Sequence, residues 1–128
     1  MTRVYYFTRT GDSKKIAESI AQQTGGTCFA VTDGRNWNGA AGFLRGGFEA
    51  SREKQQPASY EKPQDGDTIY LCFPVWAGKF PPAVRTFLAE VGRARIIAVP
   101  SSMGSRLSDQ AGFARVIEVI GKDKTVRV

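Results

Sequence analysis

Apolar runs alternate with amphipathic stretches along this chain. Residues 4–7, VYYF, form a short apolar run of the kind a buried strand makes. Residues 14–21, KKIAESIA, then take up helical spacing, and Gly25-Gly26 supplies a stop. Residues 27–31, TCFAV, predict a second strand, and a turn-rich loop follows it. Phe43, Leu44, Gly47, Phe48 and Ser51 lie three and four apart, the stripe of an amphipathic helix. Residues 53–67 are polar, hold Pro57 and Pro63 and lack an apolar period, which reads as a long surface connection. Residues 68–73, TIYLCF, are apolar throughout, as a central parallel strand buried on both faces is. Pro81 or Pro82 opens the next helix; Val84, Phe87, Leu88 and Val91 form its inner face, and Gly92 ends it. Residues 96–99 predict a fourth strand, 106–112 a short helix at most, and 116–120 a fifth strand. Residues 124–128 alternate like a strand, with 121–123 as the turn that brings them back as an antiparallel edge strand.

Strands alternating with helices give a parallel sheet covered by helices on its faces. Ligands of such sheets bind beyond the C-terminal strand ends, where the strand order reverses. Three loops leave those ends with suggestive chemistry: residues 8–13, 74–81 and 101–105. The first, Thr8-Arg9-Thr10-Gly11-Asp12-Ser13, sets hydroxyls around one glycine at the start of a helix. A helix N-terminus carries unpaired N–H donors and positive dipole, a ready site for a phosphate. The loop contains neither GxGxxG nor GxxxxGK[ST], which argues against a dinucleotide fingerprint and a nucleoside triphosphatase. Read from its residues alone, it is either a phosphate loop or a polar turn in which Ser13 caps the helix.

Composition narrows the chemistry. The 128 residues suffice for one domain with a real core, and 41% hydrophobic with 23% charged residues is ordinary for a globular chain. The chain has no histidine, so the commonest general base and the usual serine and cysteine catalytic constellations are absent. Cys28 and Cys72 show no CxxC or metal-ligand spacing and read as buried reduced thiols; no metal site is expected. No apolar run approaches the ~20 residues of a membrane span, and residues 1–3 lack the apolar region of a signal peptide, so a cytoplasmic location is expected. The net charge of +6 is dispersed, without basic runs interleaved with aromatics, which favours a solvated basic surface over a nucleic-acid footprint.

With these residues in hand, the chain resembles the flavodoxin family from Val4 to about Ile120. The resemblance is carried by Thr8, Thr10, Gly11 and Ser13 and by residues 73–88, FPVWAGKFPPAVRTFL, similar to the family's second flavin loop and following helix. Residues 42–50, GFLRGGFEA, are similar to a segment of short members. The implied fold is a single α/β domain, residues 1–128: a flavodoxin-like three-layer sandwich with a five-stranded parallel sheet in the order 2-1-3-4-5. The implied cofactor is FMN. Thr8, Thr10 and Ser13, with the N–H groups of residues 9–13, would hold its phosphate, and Arg9 could add an ion pair. Pro74, Val75, Trp76, Ala77 and Gly78 with Ser101, Ser102, Met103 and Gly104 would line the ring, Trp76 stacking on it and Gly78 responding to its redox state. Met103 stands where many members place an aromatic residue, and Trp37 is an outside candidate for that role.

Three departures from the family change expectations. Asp12 puts a carboxylate where a neutral amide is more usual. The chain is basic where flavodoxins are acidic, so Lys79 or Arg106 should stabilise a reduced, anionic flavin, and acidic partners should be preferred. Residues 121–128 are too few for the family's last helix, so an apolar sheet face is expected to be covered by a second copy or another protein. The leading expectation is an FMN-binding electron-transfer protein with no catalytic side chain. An NAD(P)H-dependent flavin or quinone reductase on the same site is the alternative, and a flavin-free binding or assembly module the third.

Overall fold

The computed structural model describes residues 1–33 and 58–128. The helix expected over residues 43–51, the similar segment 42–50 and Trp37 lie outside the described residues. Within them the chain forms β1 (Thr2–Tyr6), α1 (Asp12–Thr24), β2 (Thr27–Ala30), β3 (Thr68–Pro74), α2 (Pro82–Val91), a 3-10 turn (Arg93–Arg95), β4 (Ile96–Ser102), β5 (Arg115–Val116) and β6 (Val119–Ile120). All pairings between these strands are parallel, in the order β2-β1-β3-β4-β5, with β6 also paired to β4. The expected fifth strand is thus two short pieces. Ile117 N–H still reaches the Ala98 carbonyl at 2.8 Å between them.

Alternation along each strand divides the core into two faces. Tyr5, Leu71, Phe73 and Ala98 pack against α2 through Ala83, Val84 and Phe87. Val4, Tyr70, Cys72 and Val99 pack against α1 through Ile16, Ala17 and Ile20. Gly25, in the left-handed region at φ 71°, ends α1 as the sequence predicts. Pro82 opens α2 and Gly92 ends it, its N–H on the Leu88 carbonyl.

Several expectations need correction. Residues 106–112, expected to form a short helix at most, form none. The connection before β3 is not all surface: Tyr60 packs on Phe87, ring centroids 4.6 Å apart, and the Glu61 carbonyl accepts from the buried Tyr5 hydroxyl at 2.6 Å. Buried Arg3 ties the same segment down, pairing with Asp67 at 2.6 Å and Glu61 at 2.8 Å.

The tail is not an edge strand. No helix follows β6, but residues 121–128 cross back over the face that α1 covers. Gly121 N–H reaches the Ser102 carbonyl at 2.9 Å, Val126 is buried among Val4, Ile20 and Tyr70, and Gln23 of α1 holds both the Val126 carbonyl (2.8 Å) and the Val128 N–H (3.1 Å). The tail forms an extended strap running alongside α1. Part of the face expected to be bare is therefore covered by the chain itself, through Val126.

Candidate functional site

The C-terminal ends of β1, β3 and β4 open onto a crevice of about 460 Å³. Thr8, Arg9, Thr10, Asp12 and Ser13 line it from the β1–α1 loop, and Pro74, Val75, Trp76 and Ala77 from the end of β3. Ser101, Ser102, Met103, Gly104 and Ser105 line it from the end of β4, and Lys124 from the strap. The three loops singled out from the sequence thus converge, as the strand order requires.

The β1–α1 loop is built by its own hydrogen bonds. Gly11 takes φ 99°, a conformation open to glycine, and stands at the cap position of α1. Ser13 is therefore not the cap; it lies inside the first turn, buried, and lines the crevice. No side chain caps this helix. The first intrahelical bond is Lys15 N–H to the Gly11 carbonyl at 3.1 Å, so the amides of Asp12, Ser13 and Lys14 precede the helical ladder. The Gly11 amide is already engaged, donating to Thr8 Oγ1 at 2.8 Å. That hydroxyl retains its own proton to donate. Gly11 accordingly shapes the loop without lining the crevice.

The β3 loop is a tight hairpin. Trp76 and Lys79 exchange both backbone bonds at 2.9 Å, with Ala77 (φ 53°) and Gly78 (φ 74°) both left-handed between them. Two positive φ values in succession define the I′ turn. Gly78 does not line the crevice, and its carbonyl accepts from Ser108 N–H at 3.0 Å and Ser108 Oγ at 2.9 Å. Trp76 is only 4% exposed, edge-on to Phe7 at 5.7 Å. It belongs to the wall of the crevice and offers little open face for stacking. Met103, 64% exposed, stands at the crevice lining on the β4 loop. Val75 N–H on the Ser101 carbonyl at 2.9 Å fastens the β3 and β4 loops to each other.

Charge in the crevice differs from the sequence expectation. Neither Lys79 nor Arg106 lines it, and Arg106 pairs with Glu118 at 2.8 Å instead. Arg9 and Asp12 are on the β1–α1 loop, and Lys124 reaches the β4 end. Lys124 is the lining residue that sequence reasoning missed; Ser105 lies in the loop 101–105 singled out from the sequence but is not among the residues expected to line the ring. Among the described residues, no cluster of His, Cys, Asp and Glu could hold a metal ion.

No protein-family model and no curated protein matches this sequence. Solved structures do. A candidate flavoprotein from Bacteroides uniformis superposes with TM-score 0.73 at 21% identity, over 96% of this chain and 92% of that one. A flavoprotein from Lactobacillus acidophilus in complex with FMN gives TM-score 0.67 at 17% identity, over 93% and 91%. A candidate flavoprotein from Bacteroides eggerthii gives 0.66 at 16%, over 93% and 86%. The chain has the flavodoxin-like fold.

Proposed function

We propose that this protein binds FMN in the crevice and acts as an electron-transfer protein. The observation that carries the reading is the junction of two kinds of surface in one cleft. One end is an uncapped helix start with the hydroxyls of Thr8, Thr10 and Ser13; the other is an apolar wall of Pro74, Val75, Trp76 and Ala77. Hydroxyls and helix amides supply donors for a phosphate dianion, and the apolar wall suits a flat ring. The donor set fits FMN, and a structural neighbour is a flavoprotein in complex with FMN. Thr8, Thr10 and Ser13 would hold the phosphate. Residues of the β3 and β4 loops would orient the ring and keep water from it. Asp12 is exposed in the first turn, where a carboxylate favours the helix dipole but opposes a second anion.

FMN, when bound, supplies the redox chemistry, and the protein supplies position and electrostatics. This suits a chain without histidine. The net charge of +6 favours acidic redox partners, whose association should weaken with salt. A cytoplasmic location goes with this reading; no described helix is long and apolar enough to cross a membrane. A homodimer has less to cover than the sequence implies, since the strap seats Val126 on the α1 face.

The alternative reading, an NAD(P)H-dependent flavin or quinone reductase, rests on Met103. Its exposure leaves a mouth through which a second flat molecule could reach the ring. The deciding experiment is a visible absorption spectrum of the purified protein, before and after adding FMN and removing the excess. Bound flavin bands support the reading, and rapid NADPH oxidation with a quinone by the loaded protein would then favour the reductase. A protein that stays colourless overturns both and leaves the flavin-free binding module.

A further inference from the structure

We infer that Lys124 of the strap sets the charge at the ring end of the crevice and selectively stabilises the reduced cofactor. This rests on the FMN reading above. Lys124 Nζ donates to the Ser102 carbonyl at 3.1 Å and lines the crevice. The same carbonyl accepts from Gly121 N–H at 2.9 Å, so the strap is fastened on one side of Lys124. On the other side, Asp123 holds Thr125 through its N–H at 2.9 Å, Val126 is buried, and Gln23 grips the Val126 carbonyl. A flexible lysine is thus delivered to one place.

Its anchor is on a different strand from the phosphate loop. The phosphate loop leaves β1, whereas Lys124 is held at the end of β4, two strand spacings away in the order β1-β3-β4. Two spacings between strand backbones are about 10 Å. Arg9 and Asp12 place opposite charges on the β1–α1 loop, so Lys124 is the charged lining residue at the far end. An ammonium has three donors, and the Ser102 carbonyl takes one.

The chemistry follows from the change in charge. When FMN takes two electrons and one proton from a reductant, its isoalloxazine gains one negative charge. A fixed cation beside the ring attracts that form more than the oxidised one. Oxidised affinity, governed by the phosphate end, should depend little on Lys124.

The test measures the FMN midpoint potential and the affinity for oxidised FMN in the wild type, Lys124→Gln and Lys124→Arg. A redox titration against a reference dye gives the first and fluorescence quenching the second. In Lys124→Gln, reduced-FMN affinity should fall about tenfold with oxidised affinity nearly unchanged, which lowers the two-electron midpoint by about 30 mV. Lys124→Arg should restore it. An unchanged midpoint in Lys124→Gln overturns the inference while leaving FMN binding intact. An equal loss of both affinities also overturns it, by making Lys124 a simple anchor. A wild type that binds no FMN overturns the functional reading itself. Matching urea midpoints for the three proteins exclude a folding artefact.

Discussion

Thr8 Oγ1 accepts the Gly11 N–H at 2.8 Å, closing the β1–α1 loop on itself beside the uncapped start of α1. The hydroxyl shapes the loop as acceptor and, in the function proposed above, would donate to the FMN phosphate. Thr8→Val removes both contributions. A hydrogen bond to a charged group contributes about 1.5–3 kcal/mol, so FMN affinity should fall roughly 10- to 100-fold. Thr8→Ser keeps the oxygen and should bind close to wild type. Fluorescence quenching of FMN measures both, and a Thr8→Val variant with unaltered affinity would remove Thr8 from the phosphate site.

The acid response of the fold should centre on Asp67. The backbone N–H of Gln64 at 2.8 Å, and then the Arg3 guanidinium at 2.6 Å, hold its carboxyl below the usual carboxylate range. A carboxyl whose folded value is depressed contributes stability above its unfolded value, near 3.9, and loses it as pH falls through the folded value. Urea midpoints should therefore drop below about pH 4. Asp67→Asn should be less stable than wild type at neutral pH, with the gap narrowing in acid. A constant gap down to the acid limit would count against the assignment.

The two cysteines should stay reduced and unequal. Cys28 pairs with Val4 and Cys72 with Tyr6, on opposite sides of β1. Two strand spacings and a two-residue offset along β1 put their Cα atoms about 12 Å apart, beyond the ~7 Å limit for a disulfide. Burial pushes both thiols up, with Glu18 adding to the effect at Cys28. Cys72 is fully buried and Cys28 only partly. A thiol reagent on native protein should modify Cys28 slowly and Cys72 only after unfolding. Fast modification of Cys72 would show that β3 opens readily.

What the sequence reveals and what it conceals divide along physical lines. Continuous apolar runs and glycine or proline punctuation mark β1, β3, β4 and α2 because those signals are local. The crevice follows from strand order, so residues of all three loops are readable before the structure. Ser13 misleads because a hydroxyl at a helix start usually caps it, whereas the φ of Gly11 moves the cap position two residues earlier. The burial of Trp76 is not legible because a loop indole looks available, whereas it stands edge-on to Phe7, 69 positions away. Lys124 is concealed for the same reason. The alternation of residues 124–128 fits an edge strand, whereas burial of Val126 and the bonds of Gln23 to Val126 and Val128 lay the segment along α1.

That strap carries the last prediction. Val126 is 5% exposed and packs on the face shared by α1 and the sheet, between flanking residues that are polar or charged. Burying a valine side chain contributes about 1.5–3 kcal/mol, and truncation to alanine leaves a cavity as well. Val126→Ala should cost about 2 kcal/mol in urea unfolding. Gln23→Ala removes both strap bonds but little buried area, so it should cost less, about 1 kcal/mol. Both substitutions loosen the segment that delivers Lys124, so both should also lower the FMN midpoint potential in the direction of Lys124→Gln. A stability loss without any change in potential would show that the strap covers the α1 face and does nothing for the crevice. A change in potential with Gln23→Ala, a residue that does not line the crevice, would tie the cover of the sheet to the electrostatics of the site.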